Sequence, residues 1–261
     1  NTADNPPKNC HIARRMFSPR DIMAMTIRWI LSKSEQKNLH VQFGATATSY
    51  SRCVILGLCA MAYCLADHPK AKVYWDQSIE ALERASERTK MFLDVPHVIV
   101  MIDGTKIHSK EPLKPLHQNR DYNGWTCSVY RNCVFVWDPF GKIIDCVLNN
   151  PGSMHDSKIT RWGNIYDHIA RLPAPYRIVA DEAFDTHGIL REKIVKAKQS
   201  RNEFIETPPD GVEAAQKNLR QAPEWGNNIL TGTCRRLRDV LPTDNVARVT
   251  ILWACVYLIN F

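Results

Sequence analysis

The chain has no apolar run of about 20 residues, which argues against a membrane-spanning helix, and no basic-then-apolar leader, which argues against secretion. It has no CxxC pair and no Cys/His spacing of a zinc site. Its nine cysteines stand scattered at 10, 53, 59, 64, 127, 133, 146, 234 and 255. An odd, dispersed set fits a reducing compartment, and Cys53, Cys59 and Cys64 lie in apolar helical stretches where a free thiol acts as a small hydrophobe. Also missing are GxxxxGK[ST], GxSxG and HExxH, so the P-loop, nucleophile-elbow and zincin chemistries are without support. Acidic residues are the minority: 34 Lys and Arg against 27 Asp and Glu give +7, which favours a polyanionic partner. With 44% hydrophobic residues the 261-residue chain builds a real core, and disorder is not the default. It starts without Met and stops inside ILWACVYLINF, and both ends read as cuts.

Along the chain three regions separate. Residues 1–20, with Pro6, Pro7, Pro19 and four basic residues, read as an irregular arm. Residues 21–95 carry helical periodicity without strand-like alternation. Within them KNLHVQFGATATSYSRCVILGL has helix-turn-helix spacing, with a turn at Gly44, a cap at Thr48 or Ser49, and Ser49, Tyr50 and Arg52 presented to DNA. Two packed helices joined by a glycine turn are the structural alternative. After Pro96 the texture changes, and residues 96–261 form the third region. HVIVMIDGT, SVYRNCVFVWDPFGK and IIDCVLNNPGS read as an antiparallel meander, SMHDSKITRWGNIYDHIARL as a helix opened by Ser153 with Asp156 completing a capping box, YRIVADEAF as a fourth strand, and the remainder from about Gly211 as mainly helical.

The order β-β-β-α-β-α is that of an RNase H-like mixed sheet, an α/β fold, here preceded by the helical region. Such a sheet brings the ends of its first and fourth strands together, Asp103 at one and Asp181 at the other. A two-metal site needs carboxylates converging from rigid elements on two hard cations. The third carboxylate has to come from a helix over the sheet, Glu224 in RQAPEWGNNI, with Glu213 competing. Singly, each has a plain explanation: Asp-Gly as a turn, Asp181 as solvated charge, Glu224 after Pro223 at a helix start. Lys106 beside Asp103, and Arg235, Arg236 and Arg238 beyond Glu224, are candidate phosphate contacts, or a solvated basic face.

The segments IDGTKI, NNPGSMHDSKI, VADEAF and RQAPEWGNNI resemble, in order and spacing, the DDE endonuclease domain of PIF/Harbinger-type transposases and their domesticated derivatives. The resemblance implies that Asp103, Asp181 and Glu224 are the catalytic triad, holding two Mg²⁺ or Mn²⁺ ions, with His155 and Asp156 in a supporting segment. Glu182 departs from the Gly or Ser usual in that family after the second aspartate, and Pro223 stands inside the expected helix. The expected activity is cleavage at transposon ends and joining of the 3′-OH to target DNA. The expected setting is the nucleus, with DNA as partner, a homo-oligomer and a separate Myb-like protein as further partners, and no membrane. The alternative is a domesticated, non-catalytic factor that binds DNA or protein.

Overall fold

The structure is a computed structural model that describes residues 10–12, 15–93, 95–124, 126–196, 221 and 224–261. The expected irregular arm contains a small antiparallel hairpin, β1 (Cys10–Ile12) with β2 (Arg15–Phe17). Helix α1 (Pro19–Leu31) starts where the residues dictate. Ser18 accepts from the Asp21 N–H at 3.1 Å, the Asp21 carboxylate accepts from the Ser18 N–H at 3.1 Å, and Pro19 occupies the first turn. The expected turn follows α2 (Gln36–Gln42), with Gly44 at φ 58°. The cap of α3 (Ala47–Leu65) is Thr46, ahead of the expected Thr48 or Ser49, accepting from the Ser49 N–H at 3.2 Å.

Helix α3 corrects one expectation, because by length and a mean hydropathy of 1.3 it is apolar enough to cross a membrane. One side of it is spent on packing, while Ile55, Leu56 and Tyr63 stay exposed. Tyr50, Cys53, Val54, Leu58 and Met61 recur at helical spacing and are buried, and Gly57 lets the helix close on Thr26 of α1, where a Cβ would overlap the threonine side chain. Helix α4 (Ile79–Leu93) completes the helical region; the residues just before it, read as helix from the sequence, form none.

The sheet follows from β3 (Val98–His108), β5 (Ser128–Trp137), β6 (Ile143–Pro151) and β7 (Arg177–Ala180). β3 and β6 each pair antiparallel with β5, and β7 lies parallel beside β3. This is the meander with a crossover strand returning next to the first. Three features were not anticipated. Helix α5 (Pro115–Asp121) and the two-residue β4 (Tyr122–Asn123) sit between β3 and β5. The crossover is two short helices, α6 (Asp156–Trp162) and α7 (Ile165–Ala170), separated at Gly163 and at Asn164, whose φ of 60° no helix continues through. Helix α8 (Leu190–Lys193) leads to β8 (Ile194–Lys196), parallel to β7. Beyond that come α9 (224–233), a 3₁₀ turn (Arg235–Arg238) and α10 (Asn245–Asn260).

Both faces of the sheet are covered, which is why Val98–Ile102 reads as a continuous apolar run. On one face Ile107, Phe135 and Trp137 pack with Met25 of α1, Tyr50 of α3 and Leu252 of α10 in one cluster. On the other, Ile102, Val134 and Val136 pack with Ile159 of α6 and Ile165 and Ile169 of α7. Asn260 ties α10 to the sheet, accepting from the Ile143 N–H and donating to its carbonyl, both at 2.8 Å.

Candidate active site

Asp103 does not end its strand. β3 runs five residues further, to His108, and Asp103 is paired in register with Phe135. Asp181 does follow the last residue of β7. Met101 is paired with Val179 in the parallel ladder, so two residues further along each chain Asp103 and Asp181 come level. The Asp103 carboxylate accepts from the Gly104 N–H at 2.8 Å and from Asn227 Nδ2 at 2.7 Å. Burial, then the neighbouring Asp181 carboxylate, push its pKa up to about 7 against those hydrogen bonds. Burial also raises the Asp181 carboxyl, with Asp156 and Glu182 adding to it, while the Ala183 N–H at 2.9 Å pulls it down.

Asp156 approaches from the other side. Side chains alternate along a strand, so Gly104 opens on the face opposite Asp103, and a Cβ there would overlap the Asp156 carboxylate. Asp156 is the first residue of α6, with His155 as cap and no capping hydrogen bond. The expected box with Ser153 does not form. Ser153 Oγ donates to the Arg120 carbonyl at 2.7 Å, and Asp156 Oδ1 accepts from Asn132 Nδ2 at 2.6 Å. Burial raises the Asp156 carboxyl, partly offset by that hydrogen bond and by Lys106.

Glu224 opens the described part of α9 and is exposed. It lies one turn before Asn227, on the same side of the helix, and Asn227 is the residue that touches Asp103. Gly226 makes this approach possible, because a Cβ there would overlap the buried Trp137 ring. Sequence reasoning passed over Asn227, although its i+3 spacing from Glu224 was the available signal. Glu213 and Pro223 lie outside the described residues.

The expected DNA contacts divide. Ser49 and Tyr50 are buried, and Tyr50 donates its hydroxyl to the Met25 carbonyl at 3.2 Å, so both are withdrawn from any DNA-facing surface. Arg236 is turned inward too. It pairs with Asp239 at 2.8 Å, donates to the Trp29 and Ser34 carbonyls, and lies 4.6 Å over the Trp29 ring. Arg52, Lys106, Arg235 and Arg238 remain exposed.

The local donors are all oxygen. Besides the carboxylates, the amide oxygens Asn227 Oδ1 and Asn132 Oδ1 and the hydroxyl Thr105 Oγ1 are buried without a hydrogen-bond partner among the described residues. Half-buried carboxyls raised first by burial and, at Asp103 and Asp181, further by neighbouring carboxylates fit a hard divalent cation beside such oxygens. Among the described residues no group of three or more His, Cys, Asp and Glu side chains stands ready to hold an ion. Asp103 and Asp181 are two, and Glu224 stays outside them.

Solved structures with some likeness to the chain are the Mos1 transposase paired-end complex with left transposon end (12% identity, TM-score 0.23, 92% of this chain and 82% of that one), the Mos1 mariner paired end complex with Mn (12%, 0.19, 87% and 80%) and the Mos1 strand transfer complex (14%, 0.24, 100% and 81%). Those scores are too low to carry an argument. No curated protein sequence matches the chain. The sequence family described as DDE superfamily endonuclease matches residues 102–260, more than half of the chain and the whole stretch from Asp103 through α10. This chain belongs to the DDE superfamily endonuclease family.

Proposed function

We propose that this protein is a metal-dependent DNA endonuclease of the cut-and-paste transposase type, built on an RNase H-like sheet and of the PIF/Harbinger kind, with Asp103, Asp181 and Glu224 as its catalytic carboxylates. The observation that carries the reading is the level pair Asp103 and Asp181, the first half-buried with its carboxyl raised to about 7 and held by the helix that bears Glu224. Asp103 and Asp181 would hold Mg²⁺ or Mn²⁺, two ions in all, and Glu224 would swing in from its exposed position to complete the set. When bound, such ions supply an activated water or 3′-OH and neutralise charge on the phosphate. Asn227 fixes the Asp103 rotamer. Asp156, across the strand, adds negative potential and is a supporting residue with His155 rather than a ligand. Arg52, Lys106, Arg235 and Arg238 are the candidate cations left exposed to meet phosphates. In the same reading the protein acts in the nucleus, as an oligomer on transposon ends and target DNA, with a Myb-like partner.

The test is nicking of supercoiled plasmid in Mg²⁺ or Mn²⁺ by the wild-type chain and by Glu224→Gln. Metal-dependent nicking that the variant lacks, with DNA binding retained, is the expected result. Binding without nicking by well-folded wild-type protein would move the chain to the non-catalytic class, a reading favoured by the exposed position of Glu224.

A further inference from the structure

Two clefts outside the carboxylate centre meet at Asp138 and Phe140. The first, of about 250 Å³, is lined by Met101, Trp137, Pro139, Phe140, Trp225 and Ile229. Two aromatic residues stand at its rim, Phe140 51% and Trp225 44% exposed. Trp225 is the neighbour of Glu224 in α9, and Met101 lies two residues before Asp103 on the same face of β3, so this cleft adjoins the candidate carboxylates. In its wall Trp137 is buried, with an indole N–H that has no partner among the described residues. The second cleft, of about 340 Å³, carries Lys72, Tyr74, Arg84, Phe140 and Lys142. Its cations lie against its rings, Arg84 at 5.9 Å from the Phe140 centroid and Lys72 at 4.9 Å from that of Tyr74. Two carboxylates also line it, and both are engaged locally. Asp138 accepts from the Phe140 and Lys142 N–H groups at 2.9 and 2.8 Å, and Asp76 from the Ser78 N–H at 3.0 Å.

Exposed rings alternating with cations are of little use to an intact duplex, whose base faces are hidden in the stack. They suit an unpaired strand, whose bases stack on aromatic side chains while its phosphates meet Lys and Arg. The first cleft is smaller than a drug-sized pocket of roughly 300–1,000 Å³, a scale that suits one base ring system. We propose that the two clefts together seat an unpaired DNA strand: one unstacked base enters between Trp225 and Phe140, and Lys72, Arg84 and Lys142 receive the phosphates beside it. The inference rests on the nuclease reading above and adds to it the form of the substrate, a strand opened next to the cleavage site.

Binding of a labelled single-stranded oligonucleotide and of the matching duplex is measured by fluorescence anisotropy on the full chain in EDTA, so that no cleavage intervenes. Phe140→Ala and Trp225→Ala are each expected to weaken single-strand binding by roughly 5- to 150-fold, the range seen when one base loses its aromatic platform, and to leave duplex binding nearly unchanged. Trp225→Phe, which keeps a ring, restores most of the loss. The triple change Lys72→Ala, Arg84→Ala, Lys142→Ala lowers the salt dependence of single-strand binding. Phe140 is half exposed, so its variant folds even if removal of Trp225 disturbs α9, and a melting curve checks this. Single-strand affinity equal to wild type in Phe140→Ala overturns the inference, as it would if a peptide were the occupant. Wild-type protein that binds and nicks duplex but ignores the single strand also overturns it, with the nuclease reading left standing. Protein that binds neither form and nicks nothing removes both.

Discussion

At the scale of single residues, the Asp103 carboxyl is the most strained group of the candidate centre. Its pKa in the folded protein, about 7, lies above its ordinary value of 3.8. A carboxyl raised in this way contributes stability that is fully present below pH 3.8 and lost as the pH rises through 7, where the buried charge must form. Asp103→Asn removes that charge and keeps an oxygen to accept from Asn227. The metal-free variant is therefore expected to be more stable than wild type at pH 8, by on the order of 1–3 kcal/mol, and equal to it near pH 4. Thermal melts in EDTA across that range check it, and a gap that does not grow with pH would sink the account. Mg²⁺ added at pH 8 should raise the wild-type melting point and leave the variant's where it was. Gly104 belongs to the same picture. The glycine is where β3 lets Asp156 close on the strand, so Gly104→Ala should displace Asp156 and lower nicking, with the overlap relieved in Gly104→Ala/Asp156→Gly if sterics are the cause.

Between elements, the joint that matters is α9 against β3 and β5. Gly226 sits on the Trp137 ring and Asn227 reaches Asp103, so the helix is held one turn from Glu224 by a glycine and an amide. Asn227→Ala frees the Asp103 rotamer and leaves a carboxylate without its partner. Nicking is expected to fall about tenfold or more, each tenfold being 1.36 kcal/mol of barrier, while duplex binding in EDTA holds. Equal losses in nicking and in binding would show that Asn227 serves the packing of α9 alone. How far elements could be read from sequence follows the same physics. The meander from β3 to β6 was legible because strands covered on both faces are apolar runs bounded by Pro, Gly and Asn. Asp181 was legible as a strand-end residue, but Asp103 is not one, because Thr105 and Ile107 continue the β3 ladder with Cys133 and Arg131. β8, with three residues, and α5, inside EPLKPLHQNRDY, are too short for any period to declare itself. Ser49 and Tyr50 were misread as DNA-facing, although Tyr50, Cys53, Val54, Gly57, Leu58 and Met61 already mark the buried side of α3. Asn227 had only its i+3 spacing from Glu224 to mark it, and an amide in a helix gains meaning once the residue it touches, Asp103, is known.

Over the whole molecule, the helical region and the sheet share one interior. The cluster that holds Met25, Tyr50, Leu58 and Met61 also holds Ile107, Phe135, Trp137 and Leu252, so residues on both sides of the change in texture at Pro96 desolvate each other. Polar ties cross the same boundary: Arg236 from beyond α9 donates to the carbonyls of Trp29 and Ser34, and Lys142 donates to the Lys70 carbonyl at 3.2 Å. A molecule with a common core unfolds as a unit. Met25, 1% exposed on α1, is far along the chain from the carboxylates, yet Met25→Ala should open a cavity in the interior that also backs β5. The expected loss is about 2–5 kcal/mol, which for a chain of this length lowers the melting point by roughly 5–15 °C. Followed by near-UV circular dichroism and by protection of β3 and β5 amides from hydrogen exchange, the variant should keep a single transition, with both probes shifted together. Two transitions, with only the one from α1 to α3 displaced, would mean that the helices fold apart from the sheet and that the shared cluster is an interface between independent units. The coupled outcome carries a functional consequence as well. Because Trp137, which seats Gly226 and so α9, belongs to that cluster, loosening α1 should reduce nicking at temperatures well below the melting point, before any strand of the sheet is lost.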